Sequence, residues 1–218
     1  IQSVISQDCQ DFEFIIVDGG SSDNSLEIIN RYKKHLAWWI SEPDRGQSDA
    51  FNKGFSHAKG KFFTWVNADD LMLPGTLSKV KNYLQTHNEE WIAVNTVYID
   101  TNNIIRKCVR GVTYCNWILR HGLATEVAPS TFFSKKLFDN YGPFRLECHL
   151  VMDTDLWLRF INAGYRYKRI SHFGWAFRVH NASKTSSSLM GKPTQKFRVE
   201  FDEMMRYNCI RRKNICLF

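Results

Sequence analysis

Asp69 and Asp70 are adjacent carboxylates that come directly after an apolar run, and they are the clearest candidates for chemistry in this sequence. The run, residues 62–66, is aromatic and β-branched and predicts a buried strand in the interior of a parallel sheet. Because ligands bind at the carboxyl ends of strands in open α/β sheets, both side chains are expected to project into a binding crevice. Neighbouring carboxylates repel each other unless a cation compensates them, and a hard divalent ion with oxygen ligands is suited to that role. The alternative is a turn in which Asp70 caps the next helix.

A second predicted strand also ends in a carboxylate. Residues 12–17 are apolar except for Glu13, and they are followed by Asp18, two glycines and a helix start near Asp23 or Asn24. This order predicts a buried strand, a tight turn and a helix, with Asp18 at the carboxyl end of the strand. The glycine pair does not form a G-x-G-x-x-G sequence, so the dinucleotide fingerprint is lacking.

The elements that position these carboxylates alternate between strand and helix over the first ninety residues. A further strand is predicted at 36–41 and helices at 47–58 and 76–87, which implies parallel strands joined by right-handed crossovers. After residue 90 the pattern changes. The later predictions are a hairpin of strands 91–100 and 104–110, a helix at 114–121, an extended segment at 129–134, helices at 135–140 and 153–160, strands at 167–170 and 175–179, and a long helix from about 194.

Composition narrows the class of protein. The chain has 218 residues, enough for one α/β domain with a real core, and no apolar run approaches the roughly 20 residues that cross a bilayer. Its 6 cysteines are scattered singly, so neither a zinc site nor a disulfide framework is expected. A net charge of +7 favours anionic partners: nucleic acid, nucleotide phosphates or an acidic membrane surface. The basic cluster Arg211-Arg212-Lys213 lies among apolar residues. This arrangement indicates either an anchor at a membrane surface or a solvated helix end.

Four segments carry a resemblance to a known family. In chain order they begin at Asp18 (DGGSSD), Ser41 (SEPDRGQSDA), Asn67 (NADD) and Asp153 (DTDLWLR). Together they resemble a family 2 glycosyltransferase of the bacterial cell-surface polysaccharide type. The resemblance covers residues 1 to about 185 and implies the GT-A fold, a Rossmann-like α/β architecture with a mixed, mainly parallel sheet flanked by helices. The first strand of that sheet is expected to be missing, because the chain begins at Ile1.

The resemblance implies roles for individual residues. Asp153 falls where the family has its general base, which takes the proton of an acceptor hydroxyl and gives inversion at the anomeric carbon. The residues implied in nucleotide binding are Asp18, Asp44, Arg45, Asp49, Asn67 and Asp69. A metal cofactor, Mg²⁺ or Mn²⁺, is implied at Asp69, Asp70 and His180, where it stabilises the leaving diphosphate. From the residues alone, the dipole of its helix is the favoured explanation of Asp153, and only the motif favours a base instead. For His180, a structural role after a strand is the alternative.

Three departures from the family pattern affect these expectations. Asn67 replaces the first acid of the D-x-D region, so this position offers a neutral ligand and metal affinity is expected to fall. Met152 stands where the family often has Glu, which removes a charge beside Asp153. The absent first strand carries expected nucleotide contacts, so weak or no activity is expected of this chain by itself. Asp155 is expected to pair with Arg159, four residues later on the same helix.

The expected reaction is transfer of a sugar from a nucleotide-sugar donor to a glycan or lipid-linked acceptor. The expected organisation is a nucleotide-sugar-binding half at 1–90, an acceptor half at 91–190, and a C-terminal helix with a basic tail at 191–218. The expected location is the cytoplasm, with peripheral contact to the inner face of the membrane through the basic tail, and no nucleic acid partner is expected. Two alternatives stay open: a non-catalytic nucleotide- or polysaccharide-binding protein of the same fold, and a sugar nucleotidyltransferase, whose glycine-rich basic loop this sequence lacks.

Overall fold

The computed structural model describes residues 1–110, 130–180 and 194–208. Its first half contains, in order, α1 Gln2–Ile5, β1 Ile15–Asp18, α2 Ser25–Tyr32, a 3-10 turn Lys33–His35, β2 Trp38–Ser41, α3 Gln47–His57, β3 Phe62–Phe63, β4 Leu71–Met72 and α4 Thr76–Thr86. Its second half contains β5 Trp91–Ile99, β6 Ile105–Val109, β7 Thr131–Ser134, α5 Lys135–Tyr141, α6 Met152–Asn162, β8 Lys168–Arg178 and α7 Gln195–Tyr207. The predicted hairpin and the helices predicted at 47–58, 76–87, 135–140, 153–160 and from 194 are confirmed to within a few residues. The helix predicted at 114–121 lies outside the described residues.

Local sequence explains where several helices begin. Gly46 (φ 109°) and Gly75 (φ 76°) adopt positive φ directly before α3 and α4, a conformation that glycine takes without steric cost. The hydroxyl of Ser134 accepts a hydrogen bond from an amide in the first turn of α5, and the hydroxyl of Thr194 does the same for α7. Val151, the residue before α6, makes no side-chain cap. The start of α6 therefore depends on partners from elsewhere in the fold.

The strands form two sheets. In the smaller sheet β1 and β2 pair in parallel, with Asp18 opposite Ser41. In the larger sheet the order is β3-β7-β5-β8-β4. Strand β6 also pairs with β5, on the side opposite β8, where β7 pairs with the first part of β5 and β6 with the last part. The β5–β8 pair is parallel, while the β3–β7, β4–β8, β5–β6 and β5–β7 pairs are antiparallel. The mixed α/β fold class is confirmed, with its parallel pairs at β1–β2 and β5–β8.

The strand before the acidic pair is shorter than predicted and is not an interior parallel strand. β3 covers only Phe62–Phe63 at the end of the larger sheet, and within the described part of the chain it pairs only with β7, in antiparallel sense. The apolar character of the predicted strand comes from Phe63 and Trp65, which are 3% and 7% exposed in the core. The chain then reaches the acidic pair through a turn that the Asp70 amide closes on the Asn67 carbonyl.

A second strand prediction is also wrong. The two short strands predicted at 167–170 and 175–179 are one strand, β8, which runs through Gly174. It continues because it pairs with β5 along nearly its whole length. The register of this pairing shifts between Ala93 and Thr96, so the two strands stay paired on both sides of the irregularity. The end of this long strand carries residues 179 and 180 to the acidic turn.

An aromatic core fixes α6 against the larger sheet. Trp157 of α6 stacks on Trp91 and Trp65, with ring centroids 5.0 Å and 5.8 Å apart, and meets Phe133 edge-on at 5.5 Å. Each aromatic pair contributes about 0.5–1.5 kcal/mol beyond the burial of its area. Helix α7 adds three side chains to the same core, Phe201, Met204 and Met205. Because α6 is packed by both the sheet and α7, its N-terminal turn has a defined position.

A cleft lies between the two sheets. Its lining includes β1 of the smaller sheet and the segment from β3 to β4 of the larger one. In the described residues the two sheets are separate, and side chains from both line the cleft. None of the described helices has the length and apolar character needed to cross a membrane.

Candidate active site

Six of the residues singled out by the sequence line one cleft, with a volume of about 2380 Å³. They come from the end of β1, the turn after β3, the first turn of α6 and the end of β8: Asp18, Asn67, Asp69, Asp70, Asp153 and His180. These elements are distant in the sequence, so it is the fold that brings the side chains to one place. Three other predicted nucleotide-binding residues, Asp44, Arg45 and Asp49, do not line the cleft.

Asp69 and His180 face each other across the acidic turn. Oδ2 of Asp69 lies 2.9 Å from Nε2 of His180. Their side chains are 42% and 26% exposed, so a ligand can reach both. Arg178 holds the two segments together, because its Nε donates a hydrogen bond to the Asp69 carbonyl at 2.8 Å. The result is a carboxylate oxygen and an imidazole nitrogen side by side, both of which are donors for divalent metals.

Asp70 is buried next to this pair and is held by other groups. Its Oδ1 accepts a hydrogen bond from the Arg178 amide at 3.0 Å, and its Oδ2 accepts one from Nδ2 of Asn67 at 2.8 Å. Burial raises the pKa of Asp70 to about 6, although both hydrogen bonds favour the charged form and oppose the rise. Asp70 thus anchors the turn to β8, while Asp69 presents the more accessible carboxylate.

Asn67, which departs from the family's D-x-D pattern, bridges two neighbours. Its Oδ1 accepts a hydrogen bond from Nε2 of Gln47 at 2.9 Å, and its own Nδ2 donates to Asp70. An amide can accept on one side and donate on the other in this way, whereas an ionised carboxylate can only accept. An aspartate at this position would set its carboxylate against that of Asp70, so the neutral side chain fits the local charge.

Asp18 is held as a charged carboxylate by its own turn and by β2. Its oxygens accept hydrogen bonds from the amides of Gly20 and Ser21 and from the hydroxyls of Ser21 and Ser41, at 3.2, 3.0, 2.5 and 2.6 Å. Burial alone would raise the pKa of Asp18, but these hydrogen bonds favour the charged form and together lower it. The end of β1 therefore holds Asp18 as a charged carboxylate down to lower pH than an ordinary aspartate.

Asp44 and Arg45, in the loop before α3, and Asp49, in the first turn of α3, form a separate hydrogen-bonded group. The guanidinium of Arg45 donates to Oδ1 of Asp49 at 3.1 Å and the Arg45 amide to Oδ2 at 3.1 Å, which lowers the pKa of Asp49. Asp44 accepts a hydrogen bond from the Gly46 amide at 2.8 Å. Its carboxylate lies so close to Gly19 that a Cβ there would be 2.5 Å away, which explains the glycine. This loop supports the turn after β1.

Asp153 lies in the first turn of α6 and has a different environment. Its Oδ1 accepts hydrogen bonds from the Thr154 amide at 2.6 Å and the Thr154 hydroxyl at 3.2 Å. The residue keeps some accessible surface but sits deep among protein atoms, and this desolvation raises the pKa of Asp153. Two residues along, the fully buried Asp155 pairs with Arg159 at 2.9 Å, which confirms the predicted ion pair. Asp153 is thus the carboxylate of this turn that a ligand can meet.

Protein side chains do not complete a metal site by themselves. Among residues 1–110, 130–180 and 194–208, no group of three His, Cys, Asp or Glu side chains is placed to hold an ion. Asp69 and His180 supply two donors at the cleft. Mg²⁺ is usually held by one or two carboxylates together with the phosphates of its substrate. The donor set therefore fits a cation shared with a diphosphate ligand.

Sequence reasoning missed Gln47 and Ser41 as partners of cleft residues. Both lie in the segment SEPDRGQSDA, so the motif itself was the available signal. Their roles were not apparent because each hydrogen bond joins residues that are distant in the chain, Gln47 with Asn67 and Ser41 with Asp18. The motif therefore supplies hydrogen-bond partners to two residues of the cleft, Asp18 and Asn67.

Comparisons with known proteins identify the family of this chain. A family model described as "Glycosyl transferase family 2" matches residues 1–142. A PGL/p-HBAD biosynthesis glycosyltransferase of Mycobacterium bovis (strain BCG / Pasteur 1173P2) is 26% identical over 163 residues, which are 73% of this chain and 62% of that protein. An uncharacterized glycosyltransferase of Methanocaldococcus jannaschii is 28% identical over 191 residues, 83% of this chain and 65% of that protein. The chain thus spans less than two thirds of these relatives.

Solved structures share the fold. S. aureus TarS 1-349 in complex with UDP-GlcNAc has a TM-score of 0.76 and 18% sequence identity, covering 100% of this chain and 62% of that one. The complex of the same protein with UDP has a TM-score of 0.72 and 19% identity, covering 61% of that chain. This likeness shows the GT-A fold. Since the family model covers residues 1–142 of 218, the chain belongs to glycosyl transferase family 2.

Proposed function

We propose that this protein transfers a sugar from a nucleoside-diphosphate sugar to a hydroxyl of a glycan or lipid-linked acceptor, with inversion at the anomeric carbon. The observation that carries the proposal is the meeting of Asp18, Asp69 and Asp153 on one cleft. Similarity to TarS, which is solved with UDP and with UDP-GlcNAc, supports a nucleotide-sugar donor of this class.

The donor lies, on this proposal, against the half of the cleft formed by β1 and the acidic turn. Asp18 has a fixed charge and geometry suited to accept hydrogen bonds from the N–H groups of a base. Asn67 and Asp69 lie in the turn where the diphosphate is expected. Asp44, Arg45 and Asp49 contribute by holding the turn after β1, since Asp44 contacts Gly19.

Asp69 and His180 would hold Mg²⁺ or Mn²⁺ together with the diphosphate oxygens. When bound, the ion neutralises the negative charge that develops as the nucleoside diphosphate leaves. Asp70 keeps the acidic turn on β8 through the Arg178 amide and so fixes the position of Asp69. The accessible carboxylate and imidazole, 2.9 Å apart, are the observation that supports this assignment.

Asp153 acts as the general base. The acceptor oxygen attacks the anomeric carbon on the face opposite the diphosphate, a new C–O bond forms, and the bond to the diphosphate oxygen breaks with its electron pair. The acceptor proton passes to the Asp153 carboxylate. Because desolvation raises the pKa of Asp153, its carboxylate is a stronger base than an exposed aspartate.

The test compares Asp153→Asn with the parent in the full-length protein. Release of nucleotide and transfer of sugar are measured with UDP-, GDP- and dTDP-sugars and a panel of glycan and lipid-linked acceptors. Loss of a general base is expected to reduce kcat about 10²- to 10⁴-fold. The acid limb of the pH profile, where activity rises as Asp153 loses its proton, is expected to disappear in the variant.

The control is Asp139→Asn, which changes an exposed carboxylate of α5 that pairs with Lys135. Parent-like turnover in Asp153→Asn would refute the role of the base. Binding of a donor, seen as a raised thermal midpoint, without turnover of any donor would instead favour the non-catalytic binding protein. Peripheral membrane contact through Arg211-Arg212-Lys213 is part of the proposal, and those residues lie outside the described part of the chain.

A further inference from the structure

Helix α6 carries Asp153 but begins without a capping side chain of its own. Its N-cap residue is Val151, which offers no acceptor. The amides of Leu150 and Val151 are bound instead by one carboxylate oxygen, Oε1 of Glu200, at 2.5 Å and 3.1 Å. Glu200 belongs to α7, 50 residues from Leu150, and is only 8% exposed. A distant helix thus supplies the acceptor that the local sequence lacks.

Other contacts keep α7 in register with α6. Asn208, directly after α7, donates from Nδ2 to Oδ1 of the buried Asp155 at 3.0 Å. Between Glu200 and Asn208, three apolar residues of α7 enter the core that contains Trp157 of α6, namely Phe201, Met204 and Met205. Because α7 is fixed by these contacts, the carboxylate of Glu200 has a set position from which to hold the segment before α6.

The segment that Glu200 binds leads directly to Asp153. Leu150 and Val151 precede Asp153 by three and two residues, and the Asp153 carboxylate is bound by Thr154 of the same turn. The backbone of this turn therefore decides where Asp153 lies in the cleft. A carboxylate that binds amides at a helix N-terminus makes a strong contact, because the helix dipole and the hydrogen bonds both favour negative charge there.

We infer that Glu200 is a positioning residue, which holds the amides of Leu150 and Val151 and so fixes the first turn of α6 with Asp153 toward the acceptor hydroxyl. The inference rests on the proposed function, in which Asp153 is the base. Glu200 lies beyond the segment that the family model matches, which ends at residue 142. A misplacement of about 1 Å near reacting groups can lower turnover about 100-fold, so the loss of Glu200 is expected to act on catalysis through Asp153.

Three substitutions separate the position of the acceptor from its charge. Glu200→Gln keeps an acceptor oxygen at the same reach, Glu200→Asp withdraws it by one methylene, and Glu200→Ala removes it. Glu203→Gln and Glu203→Ala change an exposed glutamate of the same helix and serve as matched controls. Each variant is assayed as the full-length protein, well below its own thermal midpoint, for kcat and for the KM of the donor.

We expect kcat to fall about 10- to 100-fold in Glu200→Ala and Glu200→Asp, and to stay within about threefold of the parent in Glu200→Gln. The donor KM is expected to stay at the parent value in all three, because the proposed donor contacts lie on β1 and the acidic turn. Both Glu203 variants should behave as the parent. A role limited to stability would lower the thermal midpoint without separating kcat from the donor KM.

Three results would overturn the inference: an unchanged kcat in folded Glu200→Ala or Glu200→Asp, an equal loss in Glu200→Gln and Glu200→Ala, or a loss confined to the donor KM. If Glu200→Ala does not fold, Glu200→Asp and Glu200→Gln decide the matter. Asp153→Asn is assayed in parallel. Parent-like turnover in that variant refutes the proposed function itself, whereas an inactive Asp153→Asn beside a parent-like Glu200→Asp refutes only the role of Glu200.

Discussion

Asp18 and Asp153 are carboxylates of the same cleft, but the protein surrounds them in opposite ways. Asp18 accepts hydrogen bonds from two amides and two hydroxyls, and its pKa is lowered. Asp153 accepts hydrogen bonds from the amide and the hydroxyl of Thr154, and burial raises its pKa. The first environment stabilises a negative charge, and the second favours a carboxyl group that takes up a proton.

This difference matches the chemistry proposed for the two parts of the cleft. A donor site needs charges that stay in place while a nucleotide binds and leaves, and Asp18 has that property. A general base must change its protonation state in each cycle, so a raised pKa is useful there. The pairing of Asp69 with His180 belongs to the donor part, where an accessible carboxylate meets a cation and a diphosphate.

The largest expected effect that separates the two parts comes from Asp69→Ala. Because metal stabilisation of a leaving group contributes several kcal/mol, kcat/KM is expected to fall at least about 100-fold, and the response to added Mn²⁺ should be lost. The acid limb of the pH profile should remain, since Asp153 is untouched. Asp153→Asn should show the reverse, a lost acid limb and a retained response to Mn²⁺. Rates and metal titrations over a pH series measure both.

Asp11→Ala is the matched control for Asp69→Ala. Asp11 also lines the cleft, but it is an exposed carboxylate that pairs with Lys81 at 2.8 Å. It should keep the parent rate and the parent metal response. The comparison between the two parts of the cleft fails if Asp69→Ala keeps its response to Mn²⁺ or loses the acid limb.

The next effect concerns stability as a function of pH. The pKa of Asp153 is raised on folding, so the folded parent loses stability as pH rises from the usual aspartate value of about 4 through the raised value. Asp153→Asn removes this loss and is expected to unfold at a higher urea concentration than the parent at pH 7, with the advantage gone at about pH 4. An inactive variant would thus be the more stable one.

Asp18→Asn should behave in the opposite way. The lowered pKa of Asp18 contributes stability above the usual aspartate value, and this stability is lost as pH falls through the folded pKa. The variant is expected to lose about 2 kcal/mol or more at pH 7, since hydrogen bonds to a charged group are removed, and to approach the parent at low pH. Urea unfolding from pH 3 to pH 8 measures both variants. A shift of the same sign for both at pH 7 would contradict the comparison.

The parts of the fold that the sequence predicted well are those set by local signals. Helix α3 follows from its apolar spacing and the glycine before it, and the β5–β6 hairpin follows from two β-rich runs around Thr101, Asn102 and Asn103. The carboxylates Asp18 and Asp153 were found because each belongs to a motif at the end of an element. In these cases a few neighbouring residues carry the information.

Predictions failed where a distant partner decides the structure. β8 continues through Gly174 because β5 pairs with it, a contact that periodicity within 167–179 cannot report. The run at 62–66 is apolar because Phe63 and Trp65 enter the core, and this looks the same in sequence as a buried strand. Glu200 was overlooked for the same reason, since its amide partners lie about fifty residues away and no motif links them.

The smallest expected effect tests how the charge at Asp18 is maintained. Ser41 joins the end of β2 to the end of β1 through a 2.6 Å hydrogen bond from its hydroxyl to Oδ2 of Asp18. That oxygen also accepts from the Gly20 and Ser21 amides, so Ser41→Ala leaves it partly satisfied. We expect a loss of about 1–2 kcal/mol in the free energy of unfolding at pH 7, shrinking as Asp18 becomes protonated at low pH.

Ser22→Ala, which alters an exposed serine in the same turn, is the matched control and should be neutral. Because Asp18 keeps three of its four hydrogen bonds in Ser41→Ala, its charge should persist, and the donor KM should rise only a few-fold while kcat is unchanged. A fall in kcat without a change in donor KM would mean that β1 and β2 influence the base, and the division of the cleft into a donor part and a base part would then be wrong.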